Sequence, residues 1–269
     1  MDRNTMDGKT ERPFQKAVIF TSIVVITLAT WFIVINLLGI ETTYDNAIYL
    51  LTHAFVVTVS ISISIFLIRK QKWNLAYVGV RNADSTLKSI LYSLPLYVIL
   101  LLPLLATGFI GIEYRVGTFT IAIFIILFHL TVVIHEEFYF RGIVLSLFKN
   151  NPVKAVLISA FLFSILHLLN LLHLLFNDEI IFSGFFVTTL IQVARTFGFG
   201  IIFAVIVIKT KSLIPVVLFH WIGNSLNRII YFPNGWFVLA QSVLYTIYGV
   251  VLMVMLLRKP KSQTIGSLK

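Results

Sequence analysis

The chain has 269 residues, of which 58% are hydrophobic and only 12% are charged. Soluble globular domains have about 45–50% apolar and about 25% charged residues, so this composition excludes that class and indicates an integral membrane protein. The formal net charge is +10, but the lysines and arginines lie in short clusters between apolar runs, which argues against a nucleic-acid partner. There is no cysteine, which excludes disulfides, thiolate catalysis and zinc held by cysteine.

Apolar runs follow one another along the whole chain, and a membrane-spanning helix needs roughly 20 such residues. The predicted spans, about eight in all, are residues 17–39, 47–68, 87–110, 118–141, 153–176, 185–208, 213–230 and 236–257. The first is longer than the core of a signal peptide, which has about 7–15 residues, so we expect it to be retained. We predict an all-α polytopic membrane fold that forms a single integral-membrane domain over residues 1–269.

The positive charges orient the predicted spans. Lysine and arginine concentrate in the N-terminal tail, the even-numbered loops and the C-terminal tail, whereas the odd-numbered loops hold only Arg115 and Arg228. Because cytoplasmic segments are enriched in these residues, we expect both tails, residues 1–16 and 258–269, on the cytoplasmic side. The expected location is a multi-pass position in a cell membrane, bacterial by composition, with the lipid bilayer as solvent.

Strongly polar side chains inside the spans are the candidate functional groups, since an ionisable residue there costs about 2.5–3.5 kcal/mol to insert. They are Glu136, Glu137 and Arg141 on the fourth span, His167 on the fifth, Arg195 on the sixth, and His220 with Asn224 on the seventh. The first glutamate, the two histidines and the asparagine lie about 13–19 Å along their helices from the nearest cytoplasmic lysine. Residues distant in sequence therefore reach one depth. Arg195 is expected either to pack helices or to bind a substrate carboxylate.

Helical spacing separates the two adjacent glutamates. Glu137 and Arg141 are four residues apart on one helix face, with the glutamate first, which is the favoured orientation for an ion pair. Glu136 lies about 140° around the helix from Arg141 and has no such partner. We therefore expect Glu137 to be part of an ion pair and Glu136 to be available as a general base.

Structural explanations compete with the functional ones. Single histidines in membrane helices often form interhelical hydrogen bonds, and His129 and His135 are expected to do no more than that. The pair His135-Glu136 begins like the zinc motif H-E-x-x-H, but position 139 is tyrosine, so that motif is absent. Neither a G-x-S-x-G elbow nor a Walker loop is present.

Three short motifs, in order, carry a family resemblance. Residues 136–141 fit E-E-x-x-x-R, residues 163–167 fit F-x-x-x-H, and residues 220–224 fit H-x-x-x-N. Over about residues 118–230 the chain resembles the CAAX-protease and bacteriocin-processing family of intramembrane endopeptidases, also called the abortive-infection family. The Ras-converting CAAX endopeptidase belongs to that family.

The resemblance implies an eight-helix membrane fold with a cavity open to the cytoplasm, and an endopeptidase acting on a membrane-associated peptide or protein. It implies that Glu136 and His167 activate a water molecule. It also implies that His220 and Asn224 hold the oxyanion of the tetrahedral intermediate. The supporting residues are Glu137, Arg141 and Phe163.

Zinc and the competing functions stay open on the sequence. Family members are often called metalloproteases, and the four residues assigned to catalysis could bind zinc with a water left over; we prefer a metal-independent glutamate mechanism. Prenylated CAAX proteins are substrates by analogy only, and bacteriocin or pheromone precursors fit the composition better. The alternatives are a non-catalytic bacteriocin-immunity or sensor-interacting membrane protein, and a proton-coupled transporter. A transporter would predict broken helices in matching halves, which the sequence does not show.

Overall fold

The structure is a computed structural model that describes residues 13–41, 46–70, 72, 79, 86–107, 113–114, 116–175, 182–231 and 235–258. Within these ranges the α-helices are α1 Pro13–Leu37, α2 Ala47–Lys70, α3 Thr86–Thr107, α4 Phe119–Glu137, α5 Leu145–Leu147, α6 Pro152–Leu166, α7 Phe182–Thr210, α8 Ile214–Ile229 and α9 Gly235–Leu257. Most of the two predicted tails lies outside the described residues.

Two non-standard helices and one small sheet complete the architecture. A π-helix, Phe138–Val144, follows α4, and a 3₁₀-helix, His167–Leu175, follows α6. Strands β1 Glu113–Tyr114 and β2 Ile230–Tyr231 pair antiparallel, with Glu113 opposite Tyr231. This pairing places the start of α4 and the end of α8 on the same side of the helix bundle.

Seven helical segments in the described part of the chain are long and apolar enough to cross a membrane. The remaining long helix, α8, has 16 residues and is therefore about 24 Å long, shorter than a hydrocarbon core of about 30 Å. The predicted all-α polytopic membrane fold is confirmed. The number of spans and the cytoplasmic side of the termini stay predictions.

Pro103 of α3 shows how a neighbouring helix compensates for a missing helical hydrogen bond. Pro103 has no N–H, so the carbonyl of Ile99 lacks its helical donor. Gln241 on α9 donates from Nε2 to that carbonyl at 3.0 Å and to the carbonyl of Leu100 at 3.1 Å. A side chain of a neighbouring helix therefore satisfies the position, which is how membrane helices tolerate proline.

The fourth span changes from α-helix to π-helix directly after the two glutamates. The N–H of Leu145 donates to the carbonyl of Phe140, five residues earlier, which is the spacing of a π-turn. Ser159 on α6 donates from Oγ to the same carbonyl at 2.8 Å. The helical segment continues to Leu147. The sequence did not indicate the wide turn, because a contact from another helix supports it.

Close backbone packing joins α6 and α7 at the centre of the bundle. A Cβ at Gly200 would lie 2.8 Å from both Cα and Cβ of Ala160, so only glycine permits this approach. Small residues at such crossings are typical of membrane helices. Around this contact the core is aromatic, and Tyr139, Phe140 and Phe203 are almost completely buried. The rigid crossing holds α7 against the elements that carry the polar motifs.

Candidate active site

A cavity of about 530 Å³ lies among the helices that carry the three sequence motifs. Glu136 at the end of α4, His167 at the end of α6, and His220 and Asn224 on α8 all line it. The structure therefore brings together the four side chains that the motifs singled out, although they are separated by up to 88 positions in sequence. Their motif neighbour Phe163 also lines the cavity.

Glu137 lies beside the cavity and is fully buried. Its Oε1 accepts from Nη1 of Arg141 at 3.2 Å, so the ion pair expected from the i,i+4 spacing is present. The same oxygen is 2.8 Å from Nδ1 of His220. Because an ionised carboxylate can only accept, the hydrogen bond places a proton on Nδ1. Glu137 thus connects a cation on its own helix to the motif histidine of α8.

Aromatic rings surround the guanidinium of Arg141, which is 1% exposed. Its central carbon lies 4.1 Å from the ring centroid of Phe163 and 5.4 Å from that of Phe203. Nε and Nη2 have no hydrogen-bond partner among the described residues. Cation–π contacts with these two rings therefore supply the rest of its environment.

Glu136 has a different environment from its neighbour. Its side chain is 20% exposed, and its Oε2 lies 3.7 Å from Nε2 of His220, beyond hydrogen-bond distance. The two glutamates thus approach opposite nitrogens of one imidazole ring: Glu137 is bonded to Nδ1, and Glu136 faces Nε2 across the cavity. Glu136 keeps its oxygens available to a ligand in the cavity.

His167 is oriented by its own helix. Its Nδ1 lies 3.2 Å from the carbonyl oxygen of Phe163, and since a carbonyl can only accept, Nδ1 carries the proton of this bond. Nε2 is then the ring nitrogen available to the cavity. The ring of Phe163 packs edge-on against His167 at 5.2 Å and against His220 at 6.1 Å. One phenylalanine therefore spaces the two histidines.

Helix α8 is anchored so that its polar face meets the cavity. Trp221 donates from Nε1 to the carbonyl of Ile126 on α4 at 2.8 Å. Asn224 follows His220 by one helical turn and lines the cavity. Asn224 makes no hydrogen bond to another residue in the described ranges, so its amide is free to bind a ligand.

The described side chains do not form a ready-made zinc site. A zinc ion takes three or four protein ligands at about 2.0–2.3 Å. No group of three or more histidine, cysteine, aspartate or glutamate side chains within the described residues has the geometry to hold a metal ion. The metal-independent glutamate mechanism stays a prediction.

The direction of the cavity bears on the predicted topology. Its lining on α7 and α8 extends from Phe203 and His220 to Thr188 and Arg228, away from the turn at residues 211–213. The charge rule assigns that lysine-bearing turn to the cytoplasm, whereas the resemblance implied a cavity open to the cytoplasm. Both expectations stay predictions.

Sequence reasoning missed part of the cavity lining. Arg195 was singled out, but Gln192, Asn227, Arg228 and Gln241 were not. Continuing the spacing of the α8 motif by one more turn would have found Arg228, four positions after Asn224. His129, expected to be structural, also lines the cavity. His135, by contrast, is buried beside Tyr139, with ring centroids 6.5 Å apart.

Comparison with known proteins gives one match. Residues 118–226 match the family model described as Rce1-like, type II CAAX prenyl endopeptidase Rce1-like. No curated protein and no solved structure matches the chain. The matched segment begins at the N-cap of α4, ends within α8 and contains all five motif residues that line the cavity. Through residues 118–226, this integral multi-pass membrane protein is therefore similar to the Rce1-like family of type II CAAX prenyl endopeptidases.

Proposed function

We propose that the cavity hydrolyses a peptide bond of a membrane-associated peptide or protein, with Glu136 as the general base. The observation that carries this proposal is the difference in environment between the two adjacent glutamates. Glu137 is fully buried and engaged by Arg141 and His220, whereas Glu136 is partly exposed to the cavity. A carboxylate without a strong partner, inside a membrane protein and facing a cavity, is a functional group by default.

Water activation follows from the first two motifs. Glu136 takes one proton from a water molecule, while Nε2 of His167 accepts a hydrogen bond from the same water and orients it. The water oxygen forms a bond to the substrate carbonyl carbon, and the carbonyl oxygen becomes an oxyanion. Glu136 then returns the proton to the amide nitrogen as the carbon–nitrogen bond breaks. A positioned general base contributes about 10²–10⁴-fold to such a reaction.

The oxyanion would be held from α8, by the amide of Asn224 and by Nε2 of His220. Because Nδ1–H of His220 is bonded to Glu137, donation from Nε2 needs a ring that carries both protons. The two glutamates and Arg141 together carry a net charge of minus one, which such a ring would balance. Preorganised donors of this kind contribute about 10²–10³-fold each.

The remaining motif residues position these groups. Glu137 fixes the rotation of His220 through the 2.8 Å bond to Nδ1, and Arg141 holds Glu137 in place. Phe163 packs against Arg141 and both histidines. Replacing Phe163 by alanine would remove the ring against which both histidine rings pack.

The test replaces Glu136 by glutamine, which keeps the shape of the side chain and removes the base. We expect hydrolysis of internally quenched peptides by the purified chain to fall by about 10²–10⁴-fold, with an unchanged unfolding temperature. The matched control is Glu113→Gln on β1, an exposed glutamate outside the cavity lining, which should retain full activity.

Wild-type rates in a well-folded Glu136→Gln protein would refute the peptidase mechanism. Biological activity that persists in this variant without any peptide hydrolysis would instead assign the fold to immunity or sensor binding. Comparing the peptides of cells that carry the wild-type chain or the variant identifies the substrate as CAAX-type or as a bacteriocin or pheromone precursor.

A further inference from the structure

The hydroxyl of Ser159, which is completely buried on α6, donates to a different segment of the chain. Serine and threonine hydroxyls inside helices can donate to a carbonyl earlier in their own helix. Those of Ser64, Ser93 and Thr210 donate in this way, each to the carbonyl four residues earlier. Ser159 instead donates from Oγ to the carbonyl of Phe140, 19 positions away, at 2.8 Å. Its bond therefore joins α6 to the π-helix.

The acceptor of this bond lies in the wide turn that follows the two glutamates. The π-helix begins directly after Glu137, and the N–H of Leu145 donates to the carbonyl of Phe140. A π-turn contains one residue more than an α-turn, is rare, and occurs mostly at functional sites. A carbonyl oxygen has two lone pairs, and here the second accepts from Ser159. The serine therefore supports the wide turn from a second helix.

Ser159 lies on the face of α6 that carries the second sequence motif. Phe163 follows it by four positions and His167 by eight, and residues four apart share a helix face. The ring centroid of Phe163 lies 5.4 Å from that of Phe140 and 4.1 Å from the guanidinium carbon of Arg141. One face of α6 therefore contacts the π-helix through Ser159 and Phe163 and presents His167 to the cavity.

The proposed water activation depends on how these two segments are aligned. Glu136 and His167 lie on different segments, and both must reach the same water molecule. Apolar contacts between helices are non-directional, whereas a hydrogen bond has a preferred distance and angle. The bond of Ser159 is therefore a directional contact that fixes the offset of α6 along the π-helix. A misplacement of about 1 Å can lower a rate about 10²-fold.

We propose that Ser159 is a positioning residue for peptide-bond hydrolysis. Through the π-turn it sets the register between the segment that carries Glu136 and the helix that carries His167. Ser159 does not line the cavity, so it acts through the backbone of the π-turn and not on the substrate. The inference rests on the proposed peptidase function, because it assigns the π-turn to the geometry of the same reaction.

The test replaces Ser159 by alanine in the full chain, purified in detergent, with one internally quenched peptide that the wild type hydrolyses. We expect kcat to fall about 10- to 100-fold and KM to stay unchanged, because the residues that line the cavity are intact. The matched control, Ser64→Ala, removes an equally buried hydroxyl whose bond stays within α2 and should keep the wild-type kcat. Hydrogen exchange measured by mass spectrometry should become faster in residues 138–148 of Ser159→Ala only.

A second variant separates the hydrogen bond from packing. Ser159→Cys nearly keeps the size of the side chain but has a weaker donor, so its kcat should lie between those of the wild type and Ser159→Ala. A kcat that follows the unfolding temperature across all variants, Ser64→Ala included, would assign Ser159 to stability alone. Where Ser159→Ala does not fold, a wild-type kcat in Ser159→Cys overturns the proposal.

The remaining outcomes distinguish the positioning role from the proposed function. A wild-type kcat in Ser159→Ala, with hydrolysis abolished by Glu136→Gln, would refute the positioning role and leave the peptidase function intact. No Glu136-dependent hydrolysis by the wild type would refute both. A lowered kcat with unchanged hydrogen exchange in residues 138–148 would overturn the action through the π-turn.

Discussion

The cavity has a catalytic end, formed by Glu136, His167 and His220, and an arginine end, marked by Arg195 on α7, and the two ends differ in how charge is compensated. At the catalytic end, the protein compensates its own charges, since Glu137 bonds to Arg141 and His220, and aromatic rings cover the guanidinium. At the arginine end, no described acidic residue pairs with Arg195. The comparison teaches that charge at the catalytic end is compensated within the folded structure, whereas Arg195 has no acidic partner among the described residues.

The largest expected effect comes from breaking the internal compensation. Arg141→Met leaves the buried carboxylate of Glu137 without its cation and should destabilise the protein by about 3–5 kcal/mol. Thermal unfolding in detergent measures this loss. Arg195→Met, the matched change at the arginine end, removes no internal ion pair and should stay within about 0.5 kcal/mol. Equal destabilisation by both variants would abolish the distinction between the two ends.

A double variant tests whether the uncompensated charge causes this loss of stability. In the double variant Glu137→Gln, Arg141→Met no uncompensated charge remains, so part of the lost stability should return. Additive losses in the double variant would show that Glu137 and Arg141 do not act as a pair.

An intermediate effect is expected for the amide proposed to hold the oxyanion. Asn224→Ala should lower kcat by about 10²–10³-fold and leave the unfolding temperature unchanged, because Asn224 makes no hydrogen bond within the described structure. Asn227→Ala changes an asparagine that lines the cavity on the next turn of α8, towards the arginine end. Steady-state kinetics of both variants should show a much smaller change in kcat for position 227, and similar losses would contradict the assignment.

The smallest effect is expected from metal removal. At the catalytic end, the charged side chains bind to one another. No group of three metal-binding side chains is present within the described residues. Chelation and dialysis should therefore leave hydrolysis unchanged, and metal analysis of the purified chain should find no stoichiometric zinc. Zinc at one equivalent, with activity restored only by zinc after chelation, would overturn the glutamate mechanism.

Local physics explains which features could be predicted from the sequence. Span positions depend on runs of apolar residues, and the predicted spans fall on the observed helices with small shifts at their ends, as for 236–257 against Gly235–Leu257. The pairing of Glu137 with Arg141 depends on spacing within one helix, and it is present at 3.2 Å. The catalytic roles of the motif residues stay predictions.

Other features depend on contacts between distant segments, and the periodicity of the sequence along one helix does not predict such contacts. The bond between Glu137 and His220 joins residues 83 positions apart. The π-turn after Glu137 is supported by Ser159 from α6. Helix α3 tolerates Pro103 because Gln241 from α9 donates to the carbonyl that the proline leaves without a donor.

The sequence by itself determined that this chain is a helical membrane protein and which polar side chains lie inside its spans, because both follow from the apolar surroundings of each residue. Only the tertiary structure decided that Glu136 and Glu137 approach opposite sides of one imidazole ring. It also decided that Arg195 of α7 lines the same cavity as Glu136 and His220. The physical reason is that a helix determines directions around its own axis, while distances between helices depend on how their side chains pack.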